Sequence, residues 1–275
     1  MTDKVIIITG ASDGIGAAAA RFLKLQGANV VIVGRSPQKT KTIASELNVP
    51  YYLADYTKLG EVRALASQLK KDYSRIDVLA NNAGGVMGRD RRFTVDGHEM
   101  TVQVDYFAHF LLTNLLLETL IASKASIIFT ASVTHWFAGK LDLNDINLEH
   151  GYSSSRAYGK AKLMIILFAR ELHKRYHADG IATAAFHPGV VRTNLGAEFR
   201  SNTNRLFSAF MNILFISPAK GADTLEWLAT AQPGKDWQSG EYYSKRKIKS
   251  ISKQARNARL AHDLWELSAK LTELK

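Results

Sequence analysis

The 275-residue chain contains no cysteine, which removes disulfides, thiolate metal sites and thiol nucleophiles from consideration. No apolar run approaches the ~18 residues expected of a membrane span. Met1 leads directly into a short β-branched segment, without the basic stretch, long apolar core and small-residue cleavage site of a secretion signal. The chain is therefore expected to be soluble and cytoplasmic. Acidic residues are in deficit: 25 Asp and Glu face 36 Lys and Arg, a formal net charge of +11. That excess favours an anionic partner, whether a phosphorylated cofactor, nucleic acid or an acidic membrane surface. Lys245, Arg246, Lys247 and Lys249 form a late basic cluster. No aromatics are interleaved there to stack on bases, so it reads as a solvated face and no nucleic-acid partner is expected. There is no proline-rich linker, internal repeat or low-complexity segment. With 46% hydrophobic and 22% charged residues, the composition suits one globular domain spanning residues 1–275.

Short apolar runs alternate with helical stretches through most of the chain. Residues 5–8 form a β-branched strand, followed by Thr9-Gly10 and an alanine-rich helix over 15–26. Further strands are predicted at 29–33, 51–53, 76–79, 126–129 and 181–186. Helices are predicted at 39–47, 59–70, 97–120, 155–176, 204–216, 218–230 and 255–271. Such alternation indicates βαβ units, hence an α/β fold with a doubly wound parallel sheet covered by helices on both faces. Ligands of these sheets bind outside the carboxyl ends of the strands, so motifs at strand exits carry most weight.

The first exit reads Thr9-Gly10-Ala11-Ser12-Asp13-Gly14-Ile15-Gly16. Its glycines permit a tight turn and let backbone N–H groups approach a pyrophosphate at a helix N-terminus. Between the first strand and the first helix, this turn favours dinucleotide binding. Asp13 stands in the turn where some NADP enzymes carry a basic residue, which argues against NADP(H), or serves there simply as a helix N-cap. The second exit, Gly34-Arg35-Ser36, lacks the carboxylate that usually meets the adenosine ribose of NAD and supplies a guanidinium instead. Arg35, with Ser36 as a second donor, points to NADP(H) rather than NAD(H).

Tyr158 and Lys162 stand four residues apart on a predicted helix, which puts both side chains on one face and turns Lys160 elsewhere. A free phenol titrates near pH 10, so acid/base work near neutrality needs a shift worth roughly 4 kcal/mol. An ammonium at ~4 Å supplies about that much at an effective dielectric near 20. Ser132, at the exit of the 126–129 strand, is placed to hold and polarise a substrate carbonyl oxygen.

Together these residues resemble the short-chain dehydrogenase/reductase family, over nearly the whole chain. The resemblance rests on the TGASDGIG turn, Asp55, Asn81-Asn82-Ala83-Gly84, Ser132, the Tyr158/Lys162 pair and the segment from His187 to Thr193. It implies a Rossmann-type fold and hydride transfer between a nicotinamide and a carbinol or carbonyl carbon. It further implies that Asp55 contacts the adenine, that Asn81 and Asn82 support the adenosine ribose and the central strand, and that Val191 and Thr193 hold the carboxamide. Lys162 would also bind the nicotinamide ribose. Thr94 to Glu99, Phe110 to Asn114 and Leu264 to Ser268 look like the retinol-dehydrogenase-like branch. That branch takes bulky, apolar alcohols and carbonyls and commonly uses NADP(H).

One position departs from the family pattern. Asp105 stands where the family places the asparagine of its catalytic tetrad. An ionised Asp105 near Lys162 would stabilise the ammonium and oppose formation of the tyrosinate. On that residue rests an alternative reading, a cofactor-binding regulatory or scaffold protein, against which the intact Ser132, Tyr158 and Lys162 stand. Leu206, Phe207, Phe210, Met211, Leu214 and Phe215 give an apolar face to the segment at about 195–220. A substrate cover, a subunit contact of a homo-oligomer and ordinary core are all open there. Trp136 lines the pocket or simply packs. His109, His135 and His187 lack metal-ligand spacing and read as packing or hydrogen-bonding residues.

Overall fold

The computed structural model describes residues 3–189 and 216–274. Its centre is an eight-stranded sheet of order β3-β2-β1-β4-β5-β6-β7-β8. The strands are β1 (Val5–Thr9), β2 (Asn29–Gly34), β3 (Tyr51–Leu53), β4 (Val78–Asn81), β5 (Ser126–Thr130), β6 (Ala182–Phe186), β7 (Glu241–Ser244) and β8 (Lys247–Ile248). All pair in parallel except β8, which runs antiparallel to β7. Strand side chains alternate between two cores, as a sheet covered on both faces requires. Ile6, Ile8, Val30 and Ile32 face α1 (Gly14–Leu25), α2 (Pro37–Leu47) and α8 (Pro218–Thr230). Ile7, Val31 and Val33 face the opposite layer, built from α3 (Leu59–Asp72), α5 (Ala108–Leu115), α7 (Ser154–Tyr176) and α9 (Ala258–Leu271). Phe168 of α7 is the aromatic hub of this second layer, with ring centroids 5.1 Å from Phe110, 5.2 Å from Phe129 and 5.5 Å from Trp265.

Three sequence expectations need correction. The helix predicted over 97–120 is not continuous. Glu99 caps α4 (Met100–Val102) by accepting the Val102 N–H at 2.8 Å, a π-helical turn follows at Gln103–Phe107, and α5 and α6 (Leu117–Ala122) are separated at Leu116. A hydrophobic period cannot reveal the inserted residue of a π-turn, because every side chain in it is buried. The strands β7 and β8 were not anticipated either. Lys245 and Arg246 both take positive φ, 53° and 58°, and close the hairpin without the Asn-Gly signature on which such turns are usually read. This turn carries the late basic cluster, whose four side chains are exposed, with Arg246 paired to Asp223 of α8. Likewise, the predicted 255–271 helix divides into a 3-10 turn, Gln254–Arg256, and α9. The predicted 204–216 helix and its apolar face lie outside the described residues, Ile216 apart. Among the described residues, no helix is long and apolar enough to cross a membrane.

Truncating the aromatic hub tests the second layer. Phe168→Ala is expected to lower unfolding stability by roughly 3–5 kcal/mol in denaturant titration, with the transition slope unchanged. A second test concerns Glu226 of α8, whose carboxyl is pushed up to about 7 by burial, with Asp223 adding to the rise and Arg246 opposing it. An acid with a raised folded pKa favours the protonated folded state, so stability falls as pH climbs from the ordinary 4.5 through about 7. Glu226→Gln should remove that decline, giving a higher melting temperature than wild type above neutrality and little difference near pH 4.

Candidate active site

At the end of β1 the chain turns through Gly10, at φ 66°, where an added Cβ would lie 2.6 Å from the Ala83 Cα. A Cβ at Gly16 would lie 2.4 Å from the Gly10 carbonyl oxygen. The glycines thus let the turn press against the loop leaving β4, while Ser12, Gly14 and Ile15 stay partly open to solvent at the start of α1. A lattice of hydrogen bonds fixes that approach. The Thr9 hydroxyl donates to Ala80 O at 3.2 Å and accepts the Asn82 and Ala83 N–H groups at 2.9 and 3.0 Å. The Asn82 amide donates to Thr9 O at 3.0 Å, and its oxygen accepts the Thr130 hydroxyl at 3.0 Å. The exits of β1, β4 and β5 are held as one rim.

Asn81 turns inward. Its amide lies 3.0 Å from the Thr113 hydroxyl and 3.0 Å from Nδ1 of His109, whose Nε2 is 2.6 Å from Ala83 O. Burial and the Lys162 charge hold His109 neutral, at about 3. The Asn81 amide nitrogen donates to the Thr113 hydroxyl and its oxygen faces Nδ1 of His109, so both ends of the amide are engaged within the fold. Only the backbone of Asn81 is left to face a ligand.

At the β2 exit, Gly34 packs against the glycine turn, where a Cβ would lie 2.9 Å from the Ser12 Cβ. Arg35 follows, exposed. Ser36 caps α2, its Oγ accepting the Lys39 N–H at 3.4 Å and its own proton still available. Asp13 caps α1, accepting the Gly14 N–H at 2.7 Å, and lies 3.1 Å from the Lys39 ammonium. Lys39 is thus paired with the Asp13 carboxylate, a contact hidden in the sequence because α2 must first be placed beside the turn. Asp55 follows β3, its Oδ1 accepting the Thr57 N–H at 3.0 Å.

Ser132, two residues beyond the end of β5, is buried and caps the 3-10 turn Val133–Phe137, its Oγ accepting the Thr134 N–H at 3.2 Å. Its hydroxyl also favours ionisation of Tyr158. Tyr158 and Lys162 lie on one face of α7, the Lys162 ammonium 5.2 Å from the tyrosine ring centroid. That ammonium donates to Thr130 O at 3.1 Å and lies 2.9 Å from Oδ2 of Asp105. Asp105 is wholly buried within the π-turn, and its Oδ1 accepts the Gly85 N–H at 2.7 Å. Burial pushes the Asp105 carboxyl up, while Lys162 and the Gly85 N–H pull it back. Burial alone would lower Lys162, but Asp105 and Tyr158 hold it above the ordinary lysine range. Tyr158 is raised, first by burial and then by Asp105, with Lys162 and Ser132 opposing. Lys160 faces away: burial lowers it, and its charged neighbours are Arg156, Asp145 and Asp142.

The wall beyond Ser132 was only partly foreseen. His135 lies 2.8 Å from Ser132 O through Nδ1 and packs edge-on against Tyr242, with ring centroids 5.2 Å apart. Tyr242 of β7 is raised by burial and by the nearby Tyr158, and no sequence signal marked that strand. Trp136 and Phe137 are 47% and 75% exposed, so neither is core packing. Val191 and Thr193 lie outside the described residues, as does the apolar segment up to Phe215. A Cβ at Gly189 would lie 2.5 Å from the Ile216 Cδ1, so the two ends of that segment lie side by side. Among the described residues, no group of three His, Asp or Glu is placed to hold a metal ion.

The family model described as short chain dehydrogenase matches residues 4–204. Mouse (Mus musculus) retinol dehydrogenase 13 is 36% identical over 284 residues, covering 98% of this chain and 84% of the relative. A Streptomyces sp. (strain C5) protein provisionally described as a daunorubicin C-13 ketoreductase is 40% identical over 273 residues, covering 97% and 91%. Among solved structures, an uncharacterised protein from Mycobacterium paratuberculosis superposes with a TM-score of 0.79 at 30% identity, covering 98% of this chain and 93% of that one. A provisionally classed short chain dehydrogenase from Escherichia coli CFT073, solved with NADPH, gives 0.64 at 25% identity, covering 83% and 91%. Motifs, fold and relatives agree: this chain belongs to the short-chain dehydrogenase/reductase family of oxidoreductases, in its retinol-dehydrogenase-like branch.

Proposed function

We propose that this protein is an NADP(H)-dependent enzyme interconverting a hydrophobic alcohol with its aldehyde or ketone, using Tyr158 as acid/base, Ser132 as holder of the substrate oxygen and Lys162 as the supporting cation. The observation that carries this reading is the convergence of Ser132, Tyr158 and Lys162 at the strand exits that also bear the glycine turn. The nicotinamide, when bound, supplies or accepts the hydride. Gly10, Ser12, Gly14, Ile15 and Gly16 would hold its pyrophosphate, and the partly open first turn of α1 suits that anion. Arg35 and Ser36 would take the 2'-phosphate. Asp55 would contact the adenine, Asn81 and Asn82 would support the adenosine ribose, and Val191 and Thr193 would hold the carboxamide. Tyr158 and Lys162 would meet the nicotinamide ribose.

In carbonyl reduction the substrate oxygen gains negative charge. The Tyr158 hydroxyl donates its proton to that oxygen, Ser132 donates a hydrogen bond to it, and the Lys162 ammonium lowers the cost of the charge left on Tyr158. The buried anchors of Lys162, Thr130 O and Asp105, fix the ammonium before substrate arrives. The exposed Val133, Trp136 and Phe137 beyond Ser132 form an apolar rim that supports a hydrophobic substrate.

Reduction of a panel of retinal, a long-chain aldehyde and an aromatic ketone with NADPH should be detectable for wild type and fall roughly 10²–10⁴-fold in Tyr158→Phe. Equal rates in the two proteins would refute the enzymatic reading. For the cofactor, Arg35→Ala should weaken NADPH about tenfold or more in calorimetric titration and leave NADH nearly unchanged. An equal loss for both would mean that Arg35 does not read the 2'-phosphate.

A further inference from the structure

We infer that Asp105 is a positioning residue that locks Lys162 into a net-neutral buried pair, keeps Tyr158 in its protonated form, and thereby suits the site to carbonyl reduction near neutral pH while displacing alcohol oxidation to alkaline pH. The inference rests on the assignment of Tyr158 as the acid/base group.

The geometry leaves Asp105 little freedom. Its Oδ1 is taken by the Gly85 N–H at 2.7 Å, its Oδ2 lies 2.9 Å from the Lys162 ammonium, and the side chain is wholly buried. Gly84, at φ 146°, passes so close that a Cβ there would lie 2.6 Å from Oδ1. The carboxylate cannot swing away, and the ammonium it faces is tied on its other side to Thr130 O at 3.1 Å.

Burial works against charge on the titratable groups around the pair. On the same helical stretch, His109 is neutral and Glu99 is pushed towards its neutral form by burial. The β4 exit contributes the backbone of Gly84 and Gly85, and the β5 exit the Thr130 carbonyl and the Ser132 hydroxyl. Tyr242 from β7 is a neutral phenol, and burial keeps His135 and His187 below the ordinary histidine range. Among the described residues, Tyr158 therefore faces the Lys162 ammonium and the Asp105 carboxyl together, and Asp105 offsets part of the ammonium's support for a tyrosinate.

Protons account for the direction. Reduction consumes the Tyr158 proton: the O–H bond of the tyrosine breaks as the O–H bond of the product alcohol forms. Oxidation requires the tyrosinate to accept that proton. The overall equilibrium is untouched by Asp105; what moves is the pH at which the reductive limb falls and the oxidative limb rises.

The test measures kcat/KM in both directions over roughly pH 6 to 10, using the best-turned-over carbonyl of the panel above and its alcohol. Asp105→Asn keeps the size and an acceptor for the Gly85 N–H while removing the charge. Both limbs are expected to move to lower pH by about one unit or more, and oxidation at neutral pH to rise about tenfold. Limbs that stay in place, whether rates hold or fall, or limbs that move upward, would overturn the inference. If Asp105→Asn does not fold, wild type carries the test: its oxidative kcat/KM should still be climbing at about pH 9, and a plateau below about pH 8 would overturn it. Tyr158→Phe separates the two readings. If it retains full turnover, the assigned acid/base group falls; if it is inactive while Asp105→Asn keeps the wild-type profile, only the role of Asp105 falls.

Discussion

The bonding between Thr9, Asn82 and Thr130 is the constraint on which the rest of the site depends. Three parallel strands end at one rim, and their last residues would each leave polar backbone groups unpaired if the loops diverged freely. The Thr9 hydroxyl and the Asn82 amide instead span β1, β4 and β5 with bonds of 2.9–3.2 Å. The glycine turn is pressed onto Ala83 by the same lattice, and the Thr130 carbonyl that receives Lys162 belongs to the residue whose hydroxyl is bound by Asn82. The glycine turn and the Tyr158/Lys162 pair are therefore referenced to one rigid edge.

The buried Lys162–Asp105 pair is the most expensive feature built on that edge. Removing two full charges from water costs several kcal/mol per ion in real proteins, and the cost is offset only when the remaining donors and acceptors are met. Here each ion has one backbone partner, the Gly85 N–H for Oδ1 of the carboxylate and the Thr130 carbonyl for the ammonium. The π-turn at Gln103–Phe107 belongs to the same arrangement, because it holds Asp105 on the side of the helix that faces α7 and the β4 exit. A pair held so expensively is better understood as setting the charge felt by Tyr158 than as stabilising the fold.

Much of this was legible before any coordinates. The β-branched run over 5–8 and the strand-turn-helix context of the glycines were enough to place β1, the turn and α1 within a residue or so. The four-residue spacing of Tyr158 and Lys162 put them on one face of α7. Other features were not legible, for reasons that differ. The π-turn is invisible because buried positions on all sides of Gln103–Phe107 leave no polar face to mark a change of period. The β7–β8 hairpin is masked by Lys245 and Arg246, which take a conformation that sequence rules reserve for Asn and Gly. His109, Lys39 and Tyr242 owe their places near the site to tertiary packing across tens of residues, which local spacing does not encode.

Charge behaves the same way: its total says less than its pairing. The chain carries +11, yet Arg246 in the late cluster is matched to Asp223, Arg175 is shared between Glu171 and Glu266, and Lys39 is set against Asp13. Inside the site Lys162 meets Asp105, and burial lowers His109, His135 and His187. A strongly basic surface thus encloses a nearly neutral acid/base centre. The surface excess can draw a polyanionic cofactor from a distance that screening limits to about 10 Å, whereas the proton chemistry depends on one buried pair that such screening barely reaches. Attraction of the cofactor and tuning of Tyr158 are therefore separable, and salt should act on the first far more than on the second.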